Sequence, residues 1–147
     1  MGLKALAGPD VANKIEKRFP GAIVEIQPAG IVVKSQSAAD VMRFLKESPD
    51  LDFNYLNSVT AADYFDYFEV VYHLTSMSRK HTFCVKTRAF GRENPTVPSV
   101  THLWQGADLQ EREVYDLMGI RFSGHPNLKR IALWEGFKGH PLRRDYL

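Results

Sequence analysis

Phe68-Glu69-Val70-Val71-Tyr72-His73-Leu74-Thr75 sets Phe68, Val70, Tyr72 and Leu74 on one side of an extended chain and Glu69, Val71, His73 and Thr75 on the other. A period of two is the mark of a half-buried strand, because successive side chains of a pleated backbone point to opposite faces. This run, residues 65–76, is the middle of three segments rich in aromatic and β-branched residues. Residues 53–60 precede it and residues 80–89 follow it. In the last, Phe83 and Val85 alternate with Cys84 and Lys86. Met77-Ser78-Arg79 supplies a turn, so the sequence predicts a three-stranded antiparallel meander.

Upstream, residues 22–27 and 31–34 are short apolar runs joined by Pro28-Ala29-Gly30, a hairpin pattern. Residues 10–19 place Val11, Ile15 and Phe19 at helical spacing after Pro9-Asp10 and stop at Pro20-Gly21. Ser37 with Asp40 reads as a capping box for a second helix carrying Val41, Phe44 and Leu45, ended by Ser48-Pro49. Downstream, residues 91–98 read as a loop. Ser99 is placed to cap a short helix holding Val100, Leu103 and Trp104, and Asp108 with Glu111 forms another capping box for a helix that ends at Met118-Gly119. Glycines and prolines without periodicity then point to an extended arm. The expected fold is α+β: a mostly antiparallel sheet (hairpin plus three-stranded meander) with helices packed on it, over residues 1–120. An extended basic C-terminal arm for subunit docking follows over residues 121–147.

The 147 residues, 44% hydrophobic and 24% charged, are enough for a domain with its own core and exclude wholesale disorder, collagen and a disulfide scaffold. Cys84 is the single cysteine, so neither an intrachain disulfide nor a four-thiolate iron–sulfur cluster can form, and a reducing compartment is expected. No run approaches the ~18 apolar residues of a membrane span. The N-terminus lacks the apolar core of a secretion signal, and Leu6 stands where myristoylation wants Ser or Thr, so the reading is cytoplasmic. The net charge of +2 is small, but residues 47–78 carry six acids and no lysine or arginine, while residues 121–147 carry six basic residues. An acidic middle and a basic end suggest complementary partners.

No dinucleotide-binding or P-loop glycine motif is present, and the five histidines are too scattered for a local metal motif. The densest segment is Glu111-Arg112-Glu113-Val114-Tyr115-Asp116-Leu117-Met118-Gly119-Ile120. On a helix, Val114, Leu117 and Met118 share a face, Arg112 and Asp116 are spaced to pair, and Glu111 and Tyr115 share a third side. The arm then repeats itself: Gly124-His125-Pro126-Asn127-Leu128-Lys129-Arg130 returns as Gly139-His140-Pro141-Leu142-Arg143-Arg144. Proline fixes an extended backbone, leucine offers an anchor and paired basic side chains offer charge-assisted contacts, so the copies read as two docking segments.

Residues 111–120, together with Phe122, Gly124-His125-Pro126, Leu128 and Arg130-Ile131, resemble the signature of the 30-kDa subunit family of respiratory complex I, the bacterial NADH:quinone oxidoreductase. Phe68–Leu74, Val97-Pro98-Ser99-Val100-Thr101 and the segment from Gly139 to Tyr146 resemble it too, in matching order from about Leu51. The N-terminal third shares only the α+β pattern. The resemblance implies a non-redox structural subunit of the hydrophilic arm of a proton-pumping complex. Its arm would wrap a 49-kDa-like subunit and a cluster-bearing small subunit, peripherally on the cytoplasmic side, without membrane insertion or nucleic acid. FMN, iron–sulfur clusters, NADH and quinone would belong to the complex and none to this chain; no catalytic, cofactor or metal residue is expected here. Docking would fall to Glu111, Arg112, Glu113, Tyr115, Asp116, His125, Pro126, Lys129, Arg130, His140, Pro141, Arg143 and Arg144; the residues themselves suggest a rigid platform of sheet and helices with Glu111, Arg112, Glu113 and Asp116 at its edge. Met118 stands where an aromatic is common, as a tolerated core swap, and the chain resembles the short, unfused members.

The family also occurs in ferredoxin- or F420-linked quinone reductases and membrane-bound hydrogenases. Two rivals come from other classes. A nucleic-acid-binding module would use the basic tail with Phe122, Trp134, Phe137 and Tyr146. A free-standing enzyme would use Glu111, Glu113 or His125 in a shared pocket.

Overall fold

A computed structural model describes residues 2–130 and 139–144. Ile131, Trp134, Phe137 and Tyr146, which enter the readings above, lie outside the described residues. The meander is β4 (Tyr55–Asp63), β5 (Tyr67–Ser76) and β6 (His81–Phe90), all antiparallel. The hairpin is β2 (Ile23–Gln27) and β3 (Gly30–Val33). It joins the meander through β3, which runs parallel to β6, giving the order β2-β3-β6-β5-β4. A two-residue strand, β1 (Lys4–Ala5), also lies parallel to β6, at His81-Thr82.

The alternation in the sequence sets which face is covered. Phe68, Val70, Tyr72 and Leu74 are buried, opposite Ala89, Thr87, Val85 and Phe83 on β6. They meet Val11 and Ile15 of α1 (Gly8–Arg18), Val41 and Leu45 of α2 (Ser35–Glu47), and Val114 and Met118 of α3 (Ala107–Met118) in one core. On the opposite face His73 is exposed, Cys84 is half-buried, and Glu69 sits 3.1 Å from Arg88 and 3.9 Å from Lys86.

Several local expectations change. α2 begins at Ser35 behind Lys34, with no side-chain cap, so Ser37 lies inside the first turn and donates its backbone N–H to the Lys34 carbonyl. α3 likewise begins behind Gly106, which leaves Asp108 in the first turn and Glu111 deeper in the helix. The expected helix after Ser99 is a single turn, with the amides of Leu103 and Trp104 both on the Val100 carbonyl. The expected loop over residues 91–98 ends in a strand, β7 (Thr96–Pro98). The expected arm opens as β8 (Arg121–Ser123), parallel to β7 and buried through Phe122. β7, α3 and β8 therefore form a small crossover unit, whose strands are too short to show a period.

The two-face assignment makes adjacent residues of β5 unequal. Leu74→Ala should cost about 2–5 kcal/mol in urea unfolding, and His73→Ala no more than about 0.5 kcal/mol. Comparable losses at both positions would contradict the assigned faces.

Candidate docking site

The last four carbonyls of any helix lack partners in their own helix. On α3 all four are met. Gly119, left-handed at φ 75°, donates its N–H to Tyr115 at 2.8 Å. The Asp116 carbonyl accepts from His140 Nδ1 at 3.0 Å and Arg130 Nη2 at 2.6 Å. The Leu117 carbonyl accepts the Leu142 N–H at 3.0 Å, and that of Met118 accepts Arg143 Nε at 2.6 Å. Three of the four are thus served by the tail. Two arginines also sit at the negative end of the helix dipole, where cations are favoured. A side chain at position 119 would be strained at that φ, and its Cβ would fall 2.5 Å from the Arg143 guanidinium and 2.7 Å from the His140 ring.

His140 lies beside a carbonyl, so its Nδ1 carries the proton. Burial is the main cause lowering its pKa, and the charges of Arg143 and Arg130 act the same way; the ring donates as a neutral imidazole at pH 7. His125, its counterpart in the first copy, holds the other end of α3. Its Nε2 lies 3.2 Å from the Asp108 carbonyl, while its Nδ1 accepts the Asn127 N–H at 2.9 Å. Both copies begin on a left-handed glycine, at φ 84° for Gly124 and 92° for Gly139. The repeat is thus legible in space: two turns, each laying a histidine on a backbone carbonyl of one helix.

Two acids expected at an exposed edge lie inside the protein. Glu111 is fully buried, its carboxylate accepting Ser99 Oγ at 2.6 Å and the Val100 N–H at 2.8 Å. It ties α3 to the chain leaving β7. Asp116 is also fully buried and accepts Arg130 Nε. The local i,i+4 pairing with Arg112 is not what forms: Arg130 returns from the repeat to the buried side, and Arg112 Nε donates to the Lys129 carbonyl at 3.3 Å. Tyr115 is half-buried between the His140 ring, 6.5 Å away, and the Arg121 guanidinium, 5.7 Å away. Glu113, Pro126, Lys129 and Arg144 are exposed, and Pro141 is half-buried.

Glu113 borders a depression of about 260 Å³ between β4 and α3, lined also by Val59, Ala61, Leu117, Met118 and Leu142. Of the three groups an enzyme reading would bring together, Glu111 bonds Ser99 inside and feels the charge of His125, which lies on Asp108, while Glu113 is exposed. Among the described residues no three His, Cys, Asp or Glu side chains are grouped to hold a metal, and no helix is long and apolar enough to cross a membrane. Sequence reasoning missed Ser99 as the partner of Glu111. It also missed Asp63 and Arg92, a bidentate pair at 2.6 and 2.8 Å beside the tail. A lone acid before a turn carries no such signal.

Glu111 gives the site a pH signature. Burial pushes its carboxyl pKa up, against the hydrogen bonds from Ser99 and Val100. The folded chain therefore keeps a proton that the unfolded chain releases, and this contribution to stability falls as pH rises from the ordinary carboxylate value toward the folded one. Asp63 acts in the opposite sense. The Arg92 hydrogen bonds hold its pKa far below the usual range, so its contribution is lost only in acid, below about pH 4. Urea unfolding of wild type and Glu111→Gln from pH 4.5 to 7.5 should show wild type losing stability relative to the variant as pH rises. A flat difference, or one of opposite slope, would contradict the assignment.

Comparisons with known proteins bear on the family and the fold. The family described as respiratory-chain NADH dehydrogenase, 30 Kd subunit, matches residues 31–147, about 20 residues further toward the N-terminus than the signature segments reach. The chain is 40% identical over 148 residues to an NADH-quinone oxidoreductase subunit of Roseiflexus castenholzii, covering 96% of this chain and 84% of that one. It is 41% identical over 138 residues to the corresponding NADH-quinone oxidoreductase subunit of Moorella thermoacetica, covering 91% of each. Among solved structures it is similar to a chain of the membrane-bound sulfane sulfur reductase, an archaeal respiratory membrane complex, with a TM-score of 0.74 and 26% identity over 95% of this chain and 85% of that one. Signature residues, fold and relatives coincide: the chain belongs to the 30-kDa subunit family of respiratory-chain NADH dehydrogenase.

Proposed function

We propose that this chain is a non-redox structural subunit of the hydrophilic arm of a proton-pumping NADH:quinone oxidoreductase. It docks a 49-kDa-like subunit and a cluster-bearing small subunit and holds the electron carriers in register. The observation that carries this reading is the use to which the signature is put. Glu111, Asp116, Arg130, His140 and Arg143 are spent on fixing α3 and the tail to each other and to the body, instead of converging on a shared cavity. What faces outward is a rim: Leu109 and Glu113, four apart on one side of α3, with Leu142 of the tail sharing the depression that Glu113 borders. Leu109 and Leu142 are 60% and 61% exposed, and exposed leucines beside an exposed acid suit a partner surface better than solvent.

In this reading FMN, iron–sulfur clusters, NADH and quinone are held by other subunits, and the chain sits peripherally on the cytoplasmic side through its partners. A second reading has a specific observation behind it. The structural relative belongs to a sulfane sulfur reductase, so this fold serves more than one electron-transfer chemistry, and the chain could equally sit in a ferredoxin- or F420-linked reductase or a membrane-bound hydrogenase. The identities of 40% and 41% to NADH-quinone oxidoreductase subunits favour the first. A nucleic-acid module is disfavoured, because Arg130 and Arg143 are committed to helix carbonyls instead of facing a phosphate backbone.

Co-purification of the complex from cells expressing rim variants tests the proposal. Glu113→Ala and Leu142→Asp should each lower recovery of the chain with its partners about ten-fold or more, while shifting the stability of the isolated chain by under about 0.5 kcal/mol. Full assembly by both variants would overturn the rim as the docking surface, and turnover by the purified chain alone would overturn the structural role.

A further inference from the structure

The tail segment from Gly139 to Arg144 has a second attachment, on the β4–β5 turn, about which the signature is silent. Asp63, the last residue of β4, has a side chain only 1% exposed, and its carboxylate is saturated. It accepts both terminal nitrogens of Arg92 at 2.6 and 2.8 Å, the Phe65 N–H at 2.8 Å and the Arg144 N–H at 2.9 Å. Phe65 is held at φ 66°, a conformation a bulky side chain rarely adopts and one that costs energy to keep. Its ring stays half exposed even with its neighbours in place. What sits there is arginine: the guanidinium of Arg144 at 4.8 Å and that of Arg92 at 5.5 Å. One residue earlier, Arg143 lies 4.9 Å from the Phe68 ring and donates Nη1 to the Arg92 carbonyl at 2.9 Å.

We infer that Asp63 and Phe65 form a receptor for the chain's own tail segment, an arginine-bearing turn. The carboxylate grips the Arg144 backbone and the ring takes its guanidinium, so that the segment is clipped between the end of α3 and the β4–β5 turn before any partner arrives. The backbone bond and the ring contact are separate, which explains why one buried acid and one strained aromatic, two residues apart, are both needed. Arg92 completes the receptor: the acid fixes it, and its carbonyl then receives Arg143. The consequence for assembly rests on the docking role proposed above: the clip holds Leu142 outward beside Glu113, so the rim is pre-formed and its ordering cost is met within the chain.

Amide hydrogen exchange on the intact chain separates the clip from its consequence. Asp63→Asn removes the charge that grips Arg144. Phe65→Gly removes the ring while relieving the left-handed strain, so the body should keep its melting temperature within a few degrees. Both variants should speed exchange at the Arg144 and Leu142 amides at least about ten-fold, with the amides of β5 and the centre of α3 unchanged. Unchanged exchange at Arg144 in both variants would overturn the clip. So would an acceleration spread evenly over the sheet in both, because the pair would then serve the turn and not the tail. If Phe65→Gly loosens the tail yet assembles with its partners as well as wild type, the clip stands and the docking role of the rim fails.

Discussion

The end of α3 is the constraint on which the rest of the arrangement depends. A helix that stops against the body of a protein leaves its final carbonyls short of partners, and water cannot reach those that are covered. Here Gly119 turns the chain sharply enough for the tail to come back across that end, and Leu142, His140, Arg130 and Arg143 supply donors to three successive carbonyls. The basic character of the tail follows from this geometry, since donors carrying positive charge are favoured where a helix dipole ends.

Buried acids join the pieces. Glu111 binds α3 to the segment after β7, Asp116 binds it to Arg130, and Asp63 binds the sheet to Arg92 and the tail. A carboxylate taken from water is costly unless its lone pairs are met, and each of these has partners that belong to a different stretch of chain. They act as joints between elements far apart in the chain. The two strands β7 and β8 hold only three residues each, so few backbone hydrogen bonds join them, although Val97 and Phe122 reach the core.

The meander was legible because aromatic and β-branched residues repeat with a period of two over ten-residue strands, and no local rule competes with that pattern. β7 and β8 were hidden, since three residues cannot display a period and Pro98 argued for a loop. Ser37 and Asp108 have the chemistry of caps, but the backbone becomes helical before either, at Ser35 and Ala107, so chemistry without geometry misplaced both starts. The Arg112–Asp116 spacing is a local rule overridden by a tertiary partner 14 residues downstream. The signature falls on α3 and the tail, and the two copies of the repeat reach the two ends of that helix. Glu111 and Asp116, expected at an exposed edge, are buried, because each meets a partner from another stretch of chain. Asp63 left no trace in the sequence, because a single acid before a turn is what any turn would carry.

Asp116 and Arg130, both in the signature, bind the chain to itself, and that coupling must be present without any partner. A double-mutant cycle on the isolated chain, using Asp116→Ala, Arg130→Ala and the pair, addresses it most directly. Each single change should cost about 3–5 kcal/mol, since it strands a buried charge, and the coupling energy should reach about 1.5–3 kcal/mol. Additive effects below about 0.5 kcal/mol in the isolated chain, with severe loss only in the assembled complex, would contradict it.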